Sequence, residues 1–323
     1  MPPIFVKTKT TSMFIQNALP QKPNLWKYII GLIVVVFFWR GLGSIPLIAA
    51  MFTKASDLGS IDMTPAGLAD LLGANLFLSV MLSSFVLGLI GLFLYVKFVH
   101  KQSIRSLTTS REKIDWGRIF FSFFVTILFI GGFLYAGVMM EPDSYQWNFN
   151  KEAFIILAAI VLLMLPLQTS FEEYFFRGYL LQGLGVATNS RFWSLVITSS
   201  LFGLMHIFNP EIQKIGYAVL TVYIGLGFLM GIMTLMDEGL ELALGFHAAN
   251  NMTIALMVTT DWSALQTDAL YVSSAEPDLG GMLLFLGGMF VVLLGIFALR
   301  YRWKNWGNKL FGKALVLEEE TTA

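Results

Sequence analysis

The sequence predicts an all-α membrane protein, a bundle of about eight transmembrane helices, and three observations carry that prediction. Of 323 residues, 56% are hydrophobic and only 13% charged, whereas soluble domains carry about 25% charged residues. The apolar residues fall into blocks of the length that crosses about 30 Å of hydrocarbon, which takes about 20 residues of helix. No block shows the alternation of a barrel strand, so each must satisfy its backbone internally, as a helix.

The elements follow in chain order. The first 25 residues are polar and form a tail; the block at 26–50 is long enough to be a retained span rather than a cleavable leader. Further blocks lie at 74–98, 117–140, 153–182, 192–208, 215–236, 240–258 and 280–301. One membrane domain therefore occupies 26–302, between tails at 1–25 and 303–323. TKTTS near the start and EEETTA at the end read as disordered termini. No internal repeat or interdomain linker is present. Gly227 and Gly231 form a small-x-x-x-small pair that lets two helices pack closely. The chain has no cysteine, which excludes disulfides and thiol catalysis, and its zero net charge gives no sign of a nucleic-acid partner.

Lysine and arginine are distributed unevenly between alternate loops. Lys7, Lys9, Lys22 and Lys27 precede the first block; Lys97, Lys101, Arg105, Arg111, Lys113 and Arg118 occupy the second loop; Arg300, Arg302, Lys304, Lys309 and Lys313 follow the last block. The opposite loops hold Lys54, Lys151 and Lys214, and the stretch at 259–278 is acidic through Asp261, Asp268, Glu276 and Asp278. Positive-inside bias therefore predicts a multi-pass protein with both termini cytoplasmic. The short turn in MDEGLE, at 237–241, is acidic yet falls on the cytoplasmic side.

Within this apolar chain, TSFEEYFFRGYLL (169–181) follows the uncharged run FIILAAIVLLMLPLQ. A charge at mid-bilayer costs about 3 kcal/mol, so Glu172, Glu173 and Arg177 need partners or a wet cavity. Glu173 and Arg177, four residues apart with the acid first, can neutralise each other. Glu172 lies about 100° round the helix, so one arginine does not easily serve both acids. A second acid beside the first resists ionising and suits a general base. Of three histidines, His100 lies in the basic loop and reads as solvated, whereas His206 and His247 lie inside apolar blocks. Phe202 is one turn before His206, and Asn251 is one turn after His247 on the same face, with Asn250 as its competitor at three residues. Pro166, ahead of Glu172, removes a helical hydrogen bond and can open that helix. Straight parallel helices would set Glu172 about 15 Å, His206 about 20 Å and His247 about 10 Å deep, levels that tilt or kinks must reconcile. Arg40, in FFWRGLG, is a further intramembrane charge that calls for an acid or a snorkelling conformation.

Glu172-Glu173-x-x-x-Arg177, Phe202-x-x-x-His206 and His247-x-x-x-Asn251, in that order over about 152–258, resemble the CPBP family of intramembrane proteases, which includes CaaX prenyl proteases and Abi bacteriocin-immunity proteins. The resemblance implies a glutamate-dependent endopeptidase in which Glu172 and His206 activate water while His247 and Asn251 stabilise the oxyanion. Glu173, Arg177 and Phe202 are supporting motif residues. No cofactor is required by that mechanism, although zinc on Glu172, His206 and His247 is the open alternative; no His-Glu-x-x-His signature is present. The implied partner is a membrane-associated peptide or protein, prenylated if the host prenylates proteins. Residues 1–140 match no family. Two other classes stand beside this reading: a non-catalytic immunity or scaffold protein, and a proton-coupled transporter with the Glu and His residues as a relay. The transporter lacks the expected paired broken helices or inverted repeat.

Overall fold

A computed structural model describes residues 13–18, 25–54 and 61–315. TKTTS, EEETTA and the lysines at 7, 9 and 22 lie outside the described residues. The first long helix is a composite: α1 (Leu25–Val36) passes through a π-helical turn at Phe37–Gly41 and a 3₁₀ turn at Leu42–Ser44 into α2 (Ile45–Lys54). The short α3 (Pro65–Leu72) starts at a Thr64 cap, α4 spans Ala74–Phe98, and α5 is Ile104–Thr108. α6 (Trp116–Met140) follows the Asp115 cap. α7 (Lys151–Glu173) starts where Asn150 accepts from the Glu152 and Ala153 N–H groups. It continues through a second π-helical segment, Tyr174–Leu180, into α8 (Leu181–Thr188). α9 (Arg191–Leu204), α10 (Pro210–Ile215), α11 (Leu220–Asp237), α12 (Glu241–Met257), α13 (Leu279–Tyr301) and α14 (Trp306–Phe311) complete the helices.

Two expectations need correction. Among the described residues six helical segments, not about eight, are long and apolar enough to cross a membrane: 25–54, 74–98, 116–140, 151–188, 217–237 and 279–301. The blocks at 192–208 and 240–258 become α9, with 14 residues, and α12, with 17. α12 is wrapped by protein, whereas α9 buries one face and leaves Trp193, Leu201 and Leu204 exposed. Every residue from Glu241 to Ala249 is buried, so α12 need not match the hydrocarbon thickness or present an apolar face to lipid. Secondly, the chain is almost entirely but not wholly helical. β1 (Tyr145–Trp147) pairs antiparallel with β3 (Tyr271–Ser273), which pairs parallel with β2 (Val258–Thr259). This small sheet satisfies loop backbone at the end of the bundle, where helices have stopped.

α12 packs on α6, α7 and α11, and α11 packs on α9. The contacts are close because of two glycines. A Cβ on Gly227 would lie 2.7 Å from the Ser199 carbonyl oxygen, and one on Gly245 would lie 2.1 Å from that of Ile119. Gly231 faces Leu195, so the small-residue pair on α11 does admit α9. Large apolar side chains on the outside, such as Leu128, Leu163, Leu284 and Val291, are exposed. In a bundle of long apolar helices these belong against hydrocarbon.

The acidic turn at 237–241 has a structural explanation. Arg111 donates to Asp237 at 2.9 Å and Glu241 at 3.2 Å, and Arg118 also pairs with Asp237. Glu238 takes Arg191 at 2.7 Å, Lys309 at 2.8 Å and the Phe14 N–H at 2.7 Å. The turn is thus the acceptor for bases from three other segments, and it draws the ends of α6, α9, α11 and α12 together with 13–18 and α14. His100 is the third correction, because it is not solvated. It is buried among the rings of Tyr28, Tyr95 and Tyr179, with a ring nitrogen 3.3 Å from the Tyr179 hydroxyl. Burial, then the neighbouring charge of Lys27, pushes its pKa down to about 4.

Candidate active site

The charged patch at the end of α7 meets α12 in the interior. Glu173 and Arg177, both fully buried, pair at 2.8 Å across one helical turn. The other terminal guanidinium nitrogen, Nη2, donates to the Gly227 carbonyl at 3.3 Å, and the cation lies 4.3 Å from the centre of the Phe202 ring. Arg177 therefore serves one carboxylate, one α11 carbonyl and one α9 ring, and Glu172 is left to other partners.

Those partners come from α12 and from the preceding turn of α7. Glu172 Oε1 accepts from the Gln168 amide at 2.7 Å, and Oε2 lies 3.5 Å from His247 Nε2. His247 Nδ1 is 2.7 Å from Glu173 Oε1. One imidazole thus stands between the two adjacent carboxylates. The 100° offset separates Glu172 from Glu173, and His247 reaches both because it approaches from a neighbouring helix. Asn251, one turn further along α12, donates to Gln168 Oε1 at 3.2 Å and accepts from Asn250 at 2.9 Å. The result is a continuous polar chain, Asn250–Asn251–Gln168–Glu172–His247–Glu173–Arg177, closed on the Gly227 carbonyl. Glu173 Oε2 and Arg177 Nε have no hydrogen-bond partner among the described residues, so the cluster retains unmet polar capacity.

His206 lies just beyond the end of α9. Its Nδ1 is 2.8 Å from the Phe202 carbonyl, its ring stacks on Tyr223 at 4.3 Å and 12°, and the Phe202 ring lies 5.0 Å away. Since a carbonyl only accepts, Nδ1 carries the proton and Nε2 is free to accept in the neutral ring. Phe202 also contacts His247 at 5.9 Å, so this one ring touches both histidines and the Arg177 cation. Glu172, Glu173, Arg177, His247 and Asn251 thus form one bonded cluster, with Phe202 and His206 joined to it by ring contacts. Expected depth differences are absorbed in two ways: the π-helical turn follows Glu173 directly, and α9 and α12 are short helices inside the bundle.

Gln168 is the residue that sequence reasoning missed. It links Asn251 to Glu172, and its signal was available: a polar side chain in LPLQTSFEE, four residues before Glu172 on the same helical face. The bridging position of His247 had no such signal. For the zinc alternative, the donors do not converge: among the described residues, no group of three or more His, Asp or Glu side chains is arranged to hold a metal ion. His247 instead has both nitrogens directed at carboxylates, and no step below runs through a metal.

The chain is similar to known proteins over this region. A family profile described as "Type II CAAX prenyl endopeptidase Rce1-like" matches residues 151–253, which run from the start of α7 into α12. The uncharacterized protein YyaK of Bacillus subtilis (strain 168) is 35% identical over 239 residues, covering 73% of this chain and 79% of that protein. No solved structure matches the chain.

Proposed function

The chain belongs to the CPBP family through its Rce1-like CAAX protease domain, and from that premise we propose that it is an intramembrane endopeptidase that hydrolyses a peptide bond with a Glu/His-activated water. The supporting observation is the buried polar chain itself. Two helices of an otherwise apolar bundle, α7 with its π-helical continuation and α12, hold two carboxylates, a guanidinium, an imidazole and two amides in one contiguous chain. An assembly so costly in hydrocarbon exceeds what charge neutralisation of Glu173 by Arg177 requires.

In this reading Glu172 is the general base. It takes a proton from water as the water oxygen bonds to the carbonyl carbon, and later delivers that proton to the departing amine. Gln168 fixes one carboxylate oxygen and leaves the other facing His247. His206, with Nδ1 committed to the Phe202 carbonyl, offers Nε2 as a second acceptor for the water. The oxyanion needs donors. Asn251 has two N–H bonds and spends one on Gln168, so one is available. His247, held by Glu173 at Nδ1, turns Nε2 toward Glu172 and the reacting oxygen. Glu173 and Arg177 orient that ring, as a buried acid orients the histidine of a hydrolytic triad.

The test is mass spectrometry of products after the full chain, reconstituted in liposomes, meets membrane-anchored peptides with and without a prenyl group. The expected outcome is a single cut that Glu172→Gln slows by about 10²–10⁴ while the variant still folds. Equal product from both proteins would remove Glu172 as the base. No product from either would favour the non-catalytic binding class. Stoichiometric metal in active protein, lost in His206 and His247 variants, would return the zinc alternative.

A further inference from the structure

The two histidines of the candidate site are held in different ways. His247 is fixed at two points, with Nδ1 2.7 Å from Glu173 and Nε2 3.5 Å from Glu172. His206 has a single hydrogen bond, from Nδ1 to the Phe202 carbonyl at 2.8 Å. It also lies outside regular helix. α9 ends at Leu204, and the His206 and Ile207 N–H groups reach back only three residues, to the Gly203 and Leu204 carbonyls, each at 3.1 Å. One hydrogen bond fixes one point of an imidazole and leaves its plane free to tilt about that bond, so Nε2 needs a second restraint to keep its aim. His206 is half-buried, so close packing on every side does not supply it.

α11 supplies the second restraint. The Tyr223 ring lies 4.3 Å from the His206 ring and only 12° from parallel, whereas Phe202 meets the imidazole at 56° and does not share its plane. Two glycines permit that approach. A Cβ on Gly203, three residues before His206, would lie 2.8 Å from the Ile224 backbone nitrogen, and one on Gly227 would lie 2.7 Å from the Ser199 carbonyl oxygen. Tyr223 and Gly227 are one turn apart on α11, so the helix that stacks on His206 is also the one whose carbonyl takes Arg177. The phenol is itself anchored. Its oxygen accepts from the Asn209 amide at 3.4 Å, and the Asn209 N–H donates to the His206 carbonyl at 3.0 Å. The turn that carries His206 and the ring stacked on it therefore form one closed unit.

We propose that Tyr223 is a positioning residue for His206: its ring holds the imidazole plane so that Nε2 stays directed at the water that Glu172 deprotonates. The role belongs to the flat ring rather than to the hydroxyl, which is turned to Asn209. Tyr223 acts through His206, so its removal should lower the rate of the chemical step and leave substrate binding alone. A misplacement of about 1 Å in a reacting group can cost about 10²-fold in rate. This inference rests on the endopeptidase reading for its water, but not for the order of the His206 ring.

The experiment uses the full chain in liposomes, with Tyr223→Phe, which keeps a flat ring, and Tyr223→Leu and Tyr223→Met, which do not. Two readings are taken: kcat and KM on a membrane-anchored prenyl peptide, and NMR order parameters of the ring C–H bonds in histidine-labelled protein. The chain has three histidines, so His206→Ala assigns the signal directly. Tyr223→Leu should lower kcat by about 10–100-fold with KM changed by less than about 3-fold, and Tyr223→Phe should restore kcat to within about 3-fold. The His206 ring should be ordered in the unsubstituted chain and in Tyr223→Phe, and should fall to an order parameter below about 0.6 in Tyr223→Leu. Added to His206→Ala, Tyr223→Leu should slow turnover by less than a further factor of about 2, because the two residues act as one unit. An unchanged kcat in a folded Leu or Met variant, a defect in Tyr223→Phe as large as in Tyr223→Leu, full additivity with His206→Ala, or an equally ordered His206 ring in Tyr223→Leu would each overturn the assignment. Loss of folded protein in both variants without a flat ring would also overturn it, by making Tyr223 a structural residue. If the unsubstituted chain cuts nothing, the endopeptidase reading fails, and the ring order alone then decides whether Tyr223 holds His206.

Discussion

Two charged networks lie at different levels of this bundle, and they differ in balance. At one end, Asp237, Glu238 and Glu241 meet Arg111, Arg118, Arg191 and Lys309. Spare acceptors there take the Trp303 indole, the Phe14 N–H and the Asp115 N–H. In the interior, Glu172 and Glu173 share one arginine and one histidine, and two polar atoms have no partner. With Asp115 also paired to Arg118, the first network matches its carboxylates with as many cations and can retain fixed charges. The second is one fixed cation short, with two carboxylates on one arginine. A balanced network fastens helix ends; an unbalanced one can exchange a proton with a substrate.

Removing the interior counter-charge should have the largest effect. Arg177→Ala leaves Glu173 buried and unpaired, which costs about 3–5 kcal/mol, so the yield of folded protein and the thermal midpoint should both drop. Normal stability in that variant would break the comparison at its strongest point. Next come the amides that lack charge but lie in the same polar chain. Asn251→Ala should lower turnover by about 10²–10³ through loss of a donor, with a smaller change in stability. Gln168→Ala should cost about 1–2 kcal/mol by freeing one Glu172 oxygen and the Asn251 amide together. Kinetics of the double variant sharpen the point: effects that add fully would mean that Gln168 and Asn251 do not act as one chain.

The balanced network should be more forgiving. Asp237→Ala leaves Arg111 with Glu241 and Arg118 with Asp115, and both arginines are partly exposed, so the expected loss is about 1–2 kcal/mol with turnover per folded molecule unchanged. A loss of turnover at full stability would show that the two networks communicate. The same network also sets up a test of orientation. It brings the 97–118 loop, the 237–241 turn and α14 to one end, so reporter fusions at position 108 and at the C-terminus should report the same side, expected to be the cytoplasm, and one at 268 the other. A fusion at 108 that matched 268 would break the topology.

Much of this was legible in the chain because membranes make the code severe. An apolar block of about 20 residues has few alternatives to a helix, and a charge inside one has few reasons to be there. Glu172, Glu173, Arg177, His206 and His247 stood out on that basis, helical spacing and the family motif added Phe202 and Asn251, and the i, i+4 rule alone paired Glu173 with Arg177. Gln168 carried the same spacing signal toward Glu172 but lacks a charge, and an uncharged polar residue stands out less in an apolar run. The acidic turn contradicted its surroundings when read by sequence, since positive-inside bias does not encode which arginine will fold onto which aspartate.

Tertiary structure decided what depends on contact between distant segments. Whether blocks of 14 and 17 residues face lipid or protein is set by neighbours: α12 is enclosed, with α6 admitted at Gly245, while α9 packs one face on α11 at Gly227 and leaves the other exposed. His100 sits in a basic loop by sequence, yet three tyrosines from other segments bury it. His247 reaches both glutamates, which no periodicity within one helix allows, because α12 crosses α7 at that level. Arg40 likewise acquired a neighbourhood, the Trp39 ring at 4.0 Å, only when Trp39 packed on Phe171. The sequence alone determined that polar groups would be placed in the membrane and which residues they would be; helix packing determined which of them meet.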